Sequence, residues 1–448
     1  METHLTIIVA AYFIFASVAV ISEVNRIRYG GLIGIGSLCR MLYILLVVIV
    51  PACIYCGYLM ESITSSSILY DDKFIWTFYI GAIYTILVYL MFGFGYKIKQ
   101  RDIPLKDGTM DQNVVLISTI FTIISFVALV LWASGFGGIN QLINDANSIR
   151  AGFIGSSSNV AFFKHFVPLS MLSVFLLFYY LFIDDSNKGK RKVIYAIILF
   201  VPSIIISVVY ILANDGRMLA GIFIMLLFLL KLKNDYEIKG VSLKYIFFKL
   251  FVITVIVALL ILNADNIFRL FRGTQILNSN ETNSILKTIT KEFSFIVTGL
   301  QTAIVNRFNE TAEFMLKNDI GNGIFAWLPT SLKPVSYVDV WDYNTKLINS
   351  GGYGQAPTSI VAQSLYDFGM IGCIIIPAFY GFIVRKVEKI LNSYPNNTFM
   401  STIYIVLGFY LAKGMAYFSM YNIMMNIFFI VVACIIYWMM KKITLGRK

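Results

Sequence analysis

The chain has 448 residues, of which 58% are hydrophobic and only 13% charged, with a formal net charge of +12. Ordinary soluble domains carry about 25% charged residues, and disorder needs low hydrophobicity with high charge, so both classes are excluded. The apolar residues form long unbroken runs rather than short alternating strands, which excludes an outer-membrane barrel and indicates an all-α, polytopic integral membrane protein.

A hydrocarbon core of about 30 Å needs roughly 20 residues at 1.5 Å each. About 11 transmembrane helices are expected on that basis, at 3–22, 41–60, 74–95, 114–134, 163–183, 193–213, 216–232, 247–263, 364–384, 399–418 and 423–440. The first lacks a basic leading region and a small-residue cleavage motif, so it reads as a span rather than a cleaved signal. The chain thus divides into 1–263 with spans one to eight, a long external loop at 264–363, and 364–448 with three spans and a basic tail.

Most of the 36 Lys and Arg lie in short loops on one side. These include Arg26, Arg28 and Arg40, then Lys97, Lys99, Arg101 and Lys106, and later Lys188 to Lys192, Arg385, Lys386 and Lys389. Short basic loops stay in the cytoplasm, so the N-terminus is expected outside and the C-terminus inside. This distribution explains the net charge without nucleic acid. Two histidines exclude a His-rich metal site, and no metal or other cofactor is expected. Cys53 and Cys56 form a CxxC within a span, which reads as two small membrane-buried residues.

The unusual material falls on the expected outer side. Residues 135–162 are rich in Gly, Asn and Ser, and 264–363 far exceed an ordinary connection. Within the long loop, Asn283–Thr302 and Ala303–Lys317 are expected as two short helices. In the second, Ile304, Phe308, Ala312 and Met315 make an apolar stripe. Pro329 and Pro334 break helix, and Gly351, Gly352 and Gly354 loosen the approach to the ninth span. No internal repeat, P-loop or GxGxxG after a strand is visible.

Charged residues beside the outer loops are the candidates for chemistry. Arg217 follows Asn214-Asp215-Gly216 in a tight turn between two apolar runs. Its fork of donors suits phosphate oxygens; the competing reading is an interfacial anchor paired with Asp215. Arg150, Lys164 and His165 form a small basic group that reads equally as a solvated rim, and His165 alone also suits a proton carrier. Arg269 and Arg272 follow span eight. Arg307 either pairs with Glu310 one helical turn away or faces an anionic ligand. Asp339, Asp342 and Glu310 suit sugar-hydroxyl acceptors or bases. Asp367 and Lys413 lie near span ends, where ionisable groups mark function by default, unless they pair with each other and fix the bundle. Trp76, Trp132 and Trp438 read as interfacial anchors. Trp327 and Trp341 suit either sugar stacking or packing.

These features together resemble the O-antigen polymerase (Wzy) family of bacterial repeat-unit polymerases, which is related to the O-antigen ligases. The likeness covers nearly the whole chain as architecture. It is sharpest at Asn214–Leu219, with its arginine after a short outer turn, and at Leu365-Tyr366-Asp367-Phe368-Gly369-Met370-Ile371-Gly372, with its Gly-x-x-Gly before the span that follows the long loop. The ligases carry a histidine shortly before that glycine pair. Here Ser350-Gly351-Gly352-Tyr353-Gly354 stands instead, which favours a polymerase.

The resemblance implies a metal-independent, inverting membrane glycosyltransferase of the GT-C type in the bacterial inner membrane. It implies undecaprenyl-pyrophosphate-linked oligosaccharide as donor and acceptor, with a chain-length regulator and a flippase as partners beside the membrane lipids. Mapped onto this sequence, Arg217, Glu310, Asp342 and Asp367 are the catalytic candidates. Arg150, Lys164, His165, Arg272, Arg307, Trp327, Trp341 and Lys413 are the substrate-binding ones. A ligase acting on lipid A core and a lipid-linked-sugar transporter are the alternatives.

Overall fold

A computed structural model of the chain describes residues 2–30, 34–59, 74–105, 113–150, 154, 158–183, 189–214, 216–237, 245, 248–249, 252, 285–309, 313–329, 332–333, 335, 337–348, 356–394 and 397–445. Among these residues the regular structure is entirely helical.

The first half comprises α1 (Glu2–Gly30), α2 (Ile35–Tyr43), a π-helical segment (Ile44–Ile49), α3 (Val50–Leu59), α4 (Ile75–Lys97) and α5 (Val114–Ser134). Short α6 (Ile139–Asn144), α7 (Ala146–Arg150) and α8 (Ser158–Ala161) follow, then a 3-10 turn (Phe162–Phe166), α9 (Leu169–Phe182), α10 (Lys190–Ala213) and α11 (Arg217–Glu237). The second half comprises α12 (Ile285–Phe308), α13 (Leu316–Ile324), α14 (Val340–Ile348), α15 (Ile360–Phe368), α16 (Gly372–Asn392), α17 (Thr398–Gly414) and α18 (Met420–Leu445).

Among the described residues, eight helical stretches are long and apolar enough to cross a membrane, where eleven spans are expected over the whole chain. Two further expected spans exist as helices that fall short. α11 keeps Arg217, Lys231 and Lys233 within its length, and α17 has only 17 residues. The expected span at 247–263 lies largely outside the described residues. The ninth expected span starts earlier and ends later than 364–384, as one stretch over Ile360–Asn392 with a break in it.

Lipid offers helices little hydrophobic reason to associate, so close packing and polar contacts must hold them. Two glycines do this between α4 and α16. A Cβ on Gly95 would stand 1.8 Å from the Ala378 carbonyl oxygen, and one on Gly381 would stand 2.3 Å from that of Phe92. Hydroxyls join α5, α9 and α10: Thr122 lies 3.0 Å from Ser173 and 2.8 Å from Ser203, while Ser207 donates to Ser170 at 3.0 Å. Each is buried, so each pair satisfies polar atoms that lipid would leave bare.

The sequence order makes these helices run up and down, which sorts their connections onto two ends. One end gathers Glu23, Arg40, Tyr96, Arg385 and Glu388 and is called the basic end. The other gathers α6 to α8, the 3-10 turn at Phe162–Phe166, α12 to α15 and the α17–α18 turn, and is the loop-rich end.

The helical expectation for the long loop needs correction. Ile285–Phe308 is one helix, not two meeting at 302, because nothing in that stretch breaks it. It packs against α3, α4 and α15, with Phe295 on Tyr417 and Phe308 on Trp76 at centroid separations of 4.9 and 5.0 Å. The apolar stripe therefore does not continue along one helix. Ile304 is buried in α12, Phe308 is 41% exposed, Ala312 lies outside the described residues, and Met315 precedes α13. Trp132 is also not an interfacial anchor, since it is 2% exposed against Tyr210. Trp438, 57% exposed, fits that role.

Candidate functional site at the loop-rich end

The helix break at Gly369 organises this end. Gly369 has φ +66° and ψ −147°, which side chains strongly disfavour. A Cβ on Gly372 would lie 2.0 Å from the Ser364 carbonyl oxygen. The Gly-x-x-Gly spacing thus has a backbone cause: α15 must stop, and α16 must restart tightly against it.

Stopping α15 leaves its last carbonyls short of helical donors: the Gly369 N–H still reaches that of Leu365, and the Met315 N–H reaches that of Tyr366 at 3.0 Å. Arg307 adds further donors to both. Its Nε donates to the Leu365 carbonyl at 3.2 Å, and its Nη2 donates to Tyr366 at 3.0 Å and to Glu313 at 3.2 Å. Its guanidinium carbon lies 4.0 Å from the Phe314 ring centroid. A cation at a helix C-terminus is also well placed for the helix dipole. Arg307 therefore ties α12 to α15 through backbone, and Glu310, its expected partner, lies outside the described residues.

Asp367 occupies the last turn of α15 and is 3% exposed. Its two oxygens accept from Gln363 Nε2 at 3.1 and 3.2 Å. Gln363 Oε1 accepts in turn from Thr358, whose hydroxyl also lies 2.8 Å from the Phe418 carbonyl. No ion pair joins Asp367 to Lys413, so that structural pairing is not formed. Lys413 instead lies 6.0 and 5.5 Å from the ring centroids of Tyr410 and Tyr417.

A second buried carboxylate approaches Asp367. Asp319, on α13, is 3% exposed and accepts from the Met420 N–H at 2.9 Å. The charges of Asp319 and Asp367 act on each other. Burial pushes the Asp319 carboxyl up to about 7; the Met420 N–H opposes this and the charge of Asp339 adds to it. Asp339 is likewise raised by burial, although it accepts from the Trp341 N–H at 2.7 Å. Asp342 begins α14 in the same region. Asp319 escaped the sequence reading because it sits amid polar Lys317-Asn318-Asp319 with no motif around it.

Two buried amides also escaped it. Gln363 is the support of Asp367. Gln301, on α12, is 4% exposed, and both its side-chain polar atoms lack a hydrogen-bond partner. An orphaned buried amide is costly and marks a place for a water or a ligand group. A long apolar face with one Gln was the only signal for it.

The aromatic candidates are held by backbone. Trp327 Nε1 donates to the Met424 carbonyl at 2.8 Å, and Trp341 Nε1 donates to that of Phe418 at 3.2 Å. Trp327 meets Phe428 edge-on at 6.0 Å, and His165 meets the same ring at 6.2 Å. Lys164 lies 5.5 Å from the Trp132 centroid. His165 and Trp327, far apart in sequence, are thus bridged by Phe428 on α18.

The remaining arginines are placed by backbone only or not at all. α10 ends at Ala213 and α11 starts at Arg217, so the expected tight turn is present. Arg217 is the first residue of a 21-residue helix, whose N-terminal end favours anions. Its side chain and Asp215 lie outside the described residues, as does the side chain of Arg150, the last residue of α7. Arg272 lies wholly outside them.

The arrangement combines buried carboxylates, lysines among aromatic rings and an arginine at a helix start, all at one end of a membrane bundle. Such a set can hold an anionic, hydroxyl-rich molecule at a membrane face. No family model matches the chain, and neither a curated protein nor a solved structure does. The fold is that of a polytopic membrane protein, helical throughout its described residues, and is consistent with action on a lipid-linked substrate at one membrane face.

Proposed function

We propose that the chain polymerises undecaprenyl-pyrophosphate-linked oligosaccharide repeat units by glycosyl transfer at the outer face of a bacterial inner membrane. The observation that carries the reading is that Asp319 and Asp367 are both buried at the loop-rich end, with neither in an ion pair among the described residues. A carboxyl near 7 is suited to take a proton at neutral pH. The family likeness seen in the sequence supplies the reaction class.

The acceptor sugar hydroxyl attacks the anomeric carbon of the growing, lipid-linked glycan. A new C–O bond forms, the bond to pyrophosphate breaks, and the hydroxyl proton passes to the acidic cluster. Inversion follows from a single displacement. Arg217, at the positive end of α11, meets the leaving pyrophosphate, where charge develops in the transition state. Arg150 and Arg272 assist it in this reading. Asp342 and Glu310 orient sugar hydroxyls, and Trp327, Trp341, Lys164, His165 and Lys413 line the approach. Arg307 acts indirectly by fixing the end of α15 that carries Asp367.

The test uses the full chain in lipid with undecaprenyl-pyrophosphate bearing one native repeat unit, products being resolved by size. Wild type is expected to give a ladder, and Arg217→Ala to lose most of it at equal abundance. A folded wild type that transfers glycan only to lipid A core would replace this reading with a ligase. A wild type that extends nothing would overturn glycosyl transfer.

A further inference from the structure

The basic end contains a cavity of about 500 Å³ that the proposed chemistry does not use. Five cations line it from three separate segments: Arg26 from α1, Lys97 and Lys99 from the end of α4, and Arg385 and Lys389 from α16. Among the described residues, two carboxylates, Asp102 and Glu388, face them.

Both carboxylates are already engaged. Glu388 is 3% exposed and accepts from the Gly36 N–H at 3.1 Å, the Tyr96 hydroxyl at 2.8 Å and Arg385 at 3.4 Å. It thereby caps the start of α2, and a Cβ on Gly34 would stand 2.6 Å from its Oε1. Asp102 accepts from Lys389 at 2.8 Å, and Arg26 is held by Glu23 at 2.6 Å. Lys97 and Lys99 form no ion pair with any described residue. Both are exposed at the rim, with Ile98 between them, 41% exposed.

A concave wall with excess positive charge focuses its field on anions more than a flat basic loop does. We propose that this cavity binds a phosphate-bearing head group, with Lys97 and Lys99 as its mobile clamps and the Glu388 network as its rigid floor. The head group belongs either to an anionic lipid of the adjoining leaflet or to a small soluble phosphate. The apolar Ile98 beside the clamps matches the chain region of a lipid.

The first arm of the test is native mass spectrometry of the full chain in mixed micelles of phosphatidylglycerol and phosphatidylcholine. The second is calorimetric titration with inorganic phosphate in neutral detergent. Wild type is expected to retain phosphatidylglycerol selectively, and Lys97→Gln with Lys99→Gln to cut that selectivity roughly tenfold. Lys190→Gln with Lys192→Gln removes equal charge from an exposed helix start outside the cavity. That control is expected to change selectivity little. A response in the lipid arm assigns the head group to a lipid, and one in the phosphate arm alone assigns it to a soluble ligand. Equal losses in both double variants, or no binding in either arm, would overturn the proposal.

Discussion

The two ends of the bundle treat charge in opposite ways. At the basic end, buried carboxylates are matched by cations: Glu23 holds Arg26 at 2.6 Å and Arg40 at 3.0 Å, and Glu388 holds Arg385. At the loop-rich end, Asp319 and Asp367 are as deeply buried, yet the hydrogen bonds they accept come from a backbone N–H and an amide. All ion pairs between described residues lie away from this acidic cluster. A paired buried charge holds a structure in one arrangement, while burial without an ion pair raises the proton affinity of the Asp319 carboxyl. The contrast separates the scaffold from the candidate site.

Breaking a pair at the basic end should have the largest effect on folding. Arg40 is 5% exposed, so Glu23→Ala leaves a buried guanidinium uncompensated. The expected loss is about 3–5 kcal/mol, read as a lower unfolding midpoint in detergent. An unchanged midpoint would mean that water already reaches this pair.

At the other end, Asp367→Asn keeps shape and removes charge. Polymer formation is expected to fall about 100-fold, in the range of lost acid–base catalysis, while the unfolding midpoint holds or rises. A matching fall in stability would make Asp367 a scaffold residue like Glu23.

Arg307→Met should cost about 1–3 kcal/mol, because it removes charged hydrogen bonds to the Leu365 and Tyr366 carbonyls, although these keep the Gly369 and Met315 N–H groups. Loss of activity with no loss of stability would instead return Arg307 to direct substrate contact.

A further effect concerns pH. The Asp319 carboxyl is raised when folded, so the folded state binds its proton more tightly than the unfolded chain. Stability from this group is full below about 4, the unfolded value. It is lost as pH rises through about 7, the folded value. Asp319→Asn should flatten that decline in a series of unfolding curves. An equally steep decline in the variant would remove Asp319 as its source.

Much of this was legible in the sequence, for physical reasons that differ by region. Membrane helices declare themselves because lipid demands about 20 apolar residues in a row. The tight turn before Arg217 was visible for the same reason, since two such runs nearly touch. Gly369 and Gly372 were visible as a motif, but their backbone cause was not. Of the expected spans, α11 and α17 are helical but more charged or shorter than the eight clear ones. The acidic cluster stayed hidden because Asp319, Asp339 and Asp367 come together only through the packing of α13 and α15 and the α17–α18 turn. No spacing in the chain encodes that meeting. Trp132 was misread because an aromatic at a span end looks alike whether it faces lipid or a neighbouring Tyr210.

The most direct measurement is the initial rate of chain extension by purified wild type and Asp367→Asn, in lipid with the same lipid-linked repeat unit, beside their unfolding midpoints. The account predicts a ladder from wild type, a rate about 100-fold lower from the variant, and a midpoint no lower. Equal rates from two folded proteins would contradict it and place the chemistry away from the acidic cluster.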